Sequence, residues 1–128
     1  MIGIFSLFGR SADQQLLDQA IREAGLHPRL VPDAVKIVLQ RQIKEAGADA
    51  GERQALRSGL ADLLAYCMLG PDDFTARHGE ARTAAVELRL DHALMAGDSM
   101  DARMILLFMH AGLVTGHVTD RYGLALED

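Results

Sequence analysis

Tryptophan is missing from this chain, and aromatic residues make up only 5% of its 128 positions. Strands draw on aromatic and β-branched side chains, so a core left to Leu, Ala, Val, Ile and Met points to helices rather than sheets. Cysteine is represented by Cys67 alone, which excludes an internal disulfide and fits a reducing, cytoplasmic setting. Cys67 itself reads as a small buried apolar residue. No apolar run approaches the roughly 20 residues needed to span a bilayer, the longest being bracketed by Arg103 and His110. A basic excess is lacking as well. The net charge is −5, with eight basic and eight acidic residues up to Leu64 but five and ten from Ala65 onward. Contact with a phosphate backbone needs a positive surface, so nucleic acid is discounted as a partner, a local patch aside.

The common catalytic signatures are absent too. There is no Gly-x-Ser-x-Gly, no phosphate-cradling Gly-rich loop, no dinucleotide fingerprint and no His-Glu-x-x-His. No internal repeat or low-complexity tract is present, and the length fits one domain able to bury roughly two-thirds of its unfolded surface without a staple.

What remains is a succession of amphipathic segments. Met1 to Arg10 is strongly apolar but lacks the basic start and length of a secretory signal, so it is expected to stay as an N-terminal arm ahead of a single helical domain over 11–128. Docking on the body is the first expectation for this arm and burial in a self-dimer the second. Peripheral membrane contact comes last, since a lone Arg10 offers little attraction to anionic lipid.

Ser11-Ala12-Asp13-Gln14 has the form of a capping box. A helix should follow with Leu16, Leu17, Ala20, Ile21 and Ala24 inward, and Asp18, Gln19, Arg22 and Glu23 facing water. His27-Pro28 and Val31-Pro32 enforce an extended connector. The second helix, about 33–46, turns Val35, Val38, Leu39, Ile43 and Ala46 inward and leaves Lys36, Gln40 and Lys44 on a solvated side, where the lysines could also meet an acidic partner. Asp49-Ala50-Gly51-Glu52 repeats the capping pattern and opens a third helix that runs to Met68. Gly59 inside it costs about 1 kcal/mol relative to Ala and suggests a close helix crossing.

A short helical turn over 72–78 precedes a fifth segment, 80–96. It has two apolar sides, Ala81, Ala84, Ala85, Leu88 and Met95 on one, and Val86, Leu90, Ala93 and Leu94 on the other, so neighbours are expected on both. Met104 to Met109 is six apolar residues in succession, which makes the helix at about 99–111 the expected centre of the fold. The methionines, three of them in that helix, read as core gap-fillers. A weak C-terminal helix from about Thr119 completes an all-α compact bundle of five to six helices.

Three functional readings follow. The first is an interaction or accessory protein acting by binding to a protein partner or to itself, through the arm or a helix face, with no cofactor. The second is a divalent-metal hydrolase. Glu87 and Asp91 lie four residues apart on one helix and repel unless something positive lies between them, and Asp98 and Asp101 follow after a short turn. Carboxylates on facing helices are how helical proteins assemble Mg²⁺ or di-metal sites. A bland account competes, because acids at a helix start complement the macrodipole and Glu87 and Asp91 can pair with nearby arginines. The third reading is a small-ligand site near Arg103 and His110, which share the polar line of the 99–111 helix with Ser99.

Overall fold

A computed structural model describes residues 11–125 of the chain. Among them are seven α-helices, more than the five to six expected because the short Pro71–His78 segment is a helix of its own, with one turn of 3₁₀ helix and no strand. The helices are α1 (Ala12–Glu23), α2 (Asp33–Ala46), α3 (Ala50–Leu69), α4 (Pro71–His78), α5 (Glu80–Met95), α6 (Met100–His110) and α7 (Gly116–Tyr122), with the 3₁₀ turn at Pro28–Leu30. The proposed arm over 1–10 lies outside the described residues. No helix among those described is long and apolar enough to cross a membrane.

Local chemistry accounts for the helix starts. Ser11 Oγ accepts from the Gln14 amide and Gln14 Oε1 accepts from the Ser11 amide, both at 3.1 Å, so the capping box is formed at α1. Asp49 Oδ1 accepts from the Glu52 amide at 2.8 Å, and Glu52 reaches back to the Ala48 amide at 2.8 Å. Ser99 Oγ takes the Ala102 amide at the head of α6. Between α3 and α5 the chain turns on single residues. Gly70 ends α3 and begins α4 at φ 89°, ψ 166°, and Gly79 ends α4 and begins α5 at φ 88°, ψ 167°. That region of backbone space is closed to side-chain-bearing residues, so both elbows need glycine.

The helix enclosed by the others is α3, not α6. Leu60, Ala61, Leu63, Leu64, Ala65, Tyr66 and Cys67 are all buried, and α1, α2, α4, α5 and α6 each pack on this helix. Of the hexapeptide 104–109, only Met104, Ile105 and Phe108 are buried, while Leu106 is 49% exposed. An unbroken apolar run makes every face of a helix willing to be covered. Here α6 lies at the side of the packing, and the neighbours reach only one of its faces.

Two charged residues expected in water are also placed differently. Asp18 of α1 and Lys36 of α2 are buried and form an ion pair at 3.0 Å. Each sits at the edge of its own helix's apolar stripe, and closing α1 against α2 shuts water out from between them. Removing one member of a buried pair leaves the other charge uncompensated, a cost of about 3 kcal/mol or more. Asp18→Leu is therefore expected to lower stability by about that much in urea titration. The double change Asp18→Leu with Lys36→Met is expected to recover a large part of it. Additive losses in the double variant would show that the pair is not coupled.

Candidate functional site

The fifth helix carries Glu87 and Asp91 of the residues singled out in the sequence, and its surroundings divide it lengthwise. Thr83, Val86, Leu90 and Ala93 turn inward and are buried. Ala81, Ala84, Ala85, Leu88 and Met95, expected to meet a second set of neighbours, are all exposed, Leu88 at 56% and Met95 at 86%. The physical reason is topological: α3, α4 and α6 all pack on α5, and together they cover its Val86–Leu90 side. His92 completes the exposed stripe.

Two arginines fasten one shoulder of α5. Arg82 donates to Asp62 of α3 through Nε at 2.9 Å and Nη2 at 2.6 Å. Arg89 makes the same two-pronged contact with Asp101 of α6, at 2.9 and 2.6 Å. Such fork-to-carboxylate pairs fix orientation as well as adding energy. Gly59 of α3 lies under the Arg89 guanidinium, where a Cβ atom would collide with Nη1. The interior glycine thus leaves room for the end of the Arg89 side chain, and the atoms nearest to that point all belong to this side chain, so the close crossing of helix backbones expected at Gly59 is not what the glycine serves.

On the opposite shoulder Glu87 faces inward to a phenol. Tyr66, fully buried on α3, donates its hydroxyl to Glu87 Oε2 at 2.7 Å and lies 3.3 Å from the Tyr122 hydroxyl of α7. Arg121 of α7 reaches Glu87 Oε2 at 3.2 Å. Burial pushes the Tyr66 phenol well above its ordinary range, reinforced by its hydrogen bonds to Tyr122 and Glu87. It therefore stays neutral, donating to Glu87 and accepting from Tyr122, and the second of these bonds ties α7 to the body. Beside it, burial pushes the Cys67 thiol up to about 12.

The four acids singled out for a metal are distributed rather than gathered. Glu87 is occupied by Tyr66 and Arg121, and Asp101 by Arg89. Asp91 and Asp98 are exposed. A cation approaching Glu87 or Asp101 would meet a guanidinium already in place. Among the described residues no three His, Cys, Asp or Glu side chains converge so as to hold a metal ion. Arg103 and His110 are both exposed on α6, and neither lines a described cavity.

Elsewhere His78 bridges α4 to the end of α1, its Nε2–H donating to the Ala24 carbonyl at 2.7 Å, with its ring 4.7 Å from that of Phe74. The pairings of Arg82, Arg89 and Tyr66 escaped the sequence reading, since each joins residues from separate helices. Only the seven-residue step between the two arginines hinted that they share a shoulder. The chain matches no protein-family model, no curated protein and no solved structure.

The alkaline limb of stability follows from the buried thiol together with the buried Tyr66 phenol. A group whose proton is held more tightly in the fold contributes fully below its unfolded value, about 9 for the thiol, and loses that contribution as pH rises toward the folded value of about 12. Stability is thus expected to fall above pH 9 by up to about 1.4 kcal/mol per pH unit for each such group. In urea midpoints measured up the alkaline range, Cys67→Ala should show a shallower decline than the parent chain. Parallel declines would remove the thiol from the account.

Proposed function

We propose that this chain is a helical interaction protein acting by binding, and that a second copy of itself seats on the outer face of α5. One observation carries the reading: an apolar stripe at three- and four-residue steps, Ala81, Ala84, Ala85, Leu88 and Met95, runs the length of α5 with nothing described lying against it. This spacing is the pattern by which one helix beds on another.

The sizes along the stripe favour a copy of the same chain. Its N-terminal end is small, with three alanines, and its C-terminal end is large, with Leu88, His92 and Met95. Antiparallel pairing about Leu88 sets Ala81 opposite Met95, Ala84 and Ala85 opposite His92, and Leu88 against its counterpart. Large then meets small on either side of a central Leu88 pair, and the contact is isologous.

Charge supports the same arrangement. Arg82 and Arg89 bring no uncompensated positive charge to the seam because Asp62 and Asp101 hold them. Glu80 and Asp91 line the other shoulder, and antiparallel pairing puts both acidic shoulders on one side, so added salt should tighten the association. A helix of 16 residues is about 24 Å long. One pair of that length covers less than the roughly 800 Å² per partner of a standard interface, which makes the dimer transient. The reading takes the described helices as one domain, supported by a single continuous apolar cluster, and a cytoplasmic setting, supported by one buried cysteine.

Sedimentation across a wide concentration range tests it. The mass should rise from one chain toward two and stop there. Leu88→Glu, at a half-exposed position, should hold the chain monomeric without lowering its melting temperature. A mass independent of concentration, or a dimer untouched by Leu88→Glu, overturns the reading. Removal of residues 1–8 should leave the association unchanged, and its loss on that removal would move the seam to the arm.

A further inference from the structure

Opposite in character to the acidic chain as a whole is a cavity of about 360 Å³ where the start of α1, the second half of α2 and the first half of α3 meet. Its wall carries Arg41, Lys44, Arg53 and Arg57 against one acid, Asp13. These four cations leave nine others to balance seventeen acids in the rest of the chain. Positive charge is thus concentrated at one concave site of a molecule that is otherwise strongly negative.

The second observation concerns Arg57. It is only 5% exposed, yet the bond described for it goes to a neutral amide, Nη1 to Gln54 Oε1 at 2.7 Å, and it makes no ion pair among the described residues. The arginines that reach across to another helix, Arg82, Arg89 and Arg121, each have a carboxylate. Among the described residues Arg53 likewise has only a long contact with the Gly47 carbonyl, at 3.4 Å. Taking a guanidinium out of water without a counter-charge is costly, and an anion arriving in the cavity would supply one. The ten residues that precede Ser11 contain no carboxylate side chain that could do so.

We propose that this cavity binds the phosphate group of a small organic phosphate monoester. Three arginines and a lysine facing one acid suit a compact dianion better than a single carboxylate. The guanidinium fork matches phosphate oxygens two at a time, and lysine serves as a point charge. Ile37 and Ile43 form an apolar wall on which the organic part can rest. The volume lies in the range of small-molecule sites, roughly 300–1,000 Å³. A nucleic acid is disfavoured as the source of the phosphate, because beyond the cavity rim its neighbouring phosphates would meet the acidic remainder of the surface.

Calorimetric titration of the full chain with inorganic phosphate, adenosine monophosphate, citrate and a single-stranded oligonucleotide tests the assignment. Saturable one-to-one binding is expected for phosphate and more tightly for the monoester, weakened at least tenfold in Lys44→Gln and in Arg53→Gln. Lys44 is exposed, so its variant should fold normally. Saturating phosphate should raise the melting temperature of the parent chain but not that of Arg57→Gln. Absence of saturable phosphate binding, equal affinity in the Lys44 and Arg53 variants, or preference for citrate or the oligonucleotide overturns the proposal.

Discussion

From Leu60 to Cys67 the third helix turns more than twice with almost no surface left to water, and Asp62 alone interrupts the enclosure by reaching out to Arg82. A backbone segment can be sealed this way only because a helix satisfies its own amide and carbonyl groups along its length. The small side chains of Ala61 and Ala65, set among leucines, let the surrounding helices come near without leaving voids. Five of the other helices, α1, α2, α4, α5 and α6, need one apolar side facing α3, and their remaining faces are free for polar pairing or for exposure. The exposed stripe of α5 and the cationic cavity beside α2 both exist because α3 meets the requirement for a core without them.

Much of this was legible in the chain. The helix starts at Ser11 and Asp49 are written in hydroxyl and carboxylate side chains that bond the first free amides, a local chemistry that needs no knowledge of the fold. The identity of the central helix was not legible. Density of apolar residues favours the 104–109 run, but it records how many faces tolerate burial and not how many neighbours arrive. In α3 the apolar residues are spread over 20 positions with Gly59 and Asp62 among them, which disguises a helix whose 60–67 stretch is buried nearly all round. The same limit explains α5, whose two apolar sides are evident in the pattern while only one is covered.

Polar pairings between helices were the least accessible part. Asp18 and Lys36 look like ordinary surface residues within their own segments, and their burial arises from the angle at which two helices close. Glu87 and Asp101 drew notice because like charges fell near one another. Their actual partners, Arg121 and Arg89, are cations on other helices, and Tyr66 adds a donor from the core. Arg82 and Arg89, seven residues apart, hold α5 to α3 and to α6 from a single shoulder and so define which side of it stays outward.

The elbows at Gly70 and Gly79 leave no slack between α3, α4 and α5, since one residue serves as the end of one helix and the beginning of the next. Each residue of an α-helix advances the side chains by about 100° around the axis. Inserting or deleting a single residue within Pro71–His78 would therefore rotate the whole of α5 relative to α3, carrying Arg82 and Arg89 away from their carboxylates and swinging Val86 and Leu90 toward water. Length changes in this stretch should be tolerated only in whole turns.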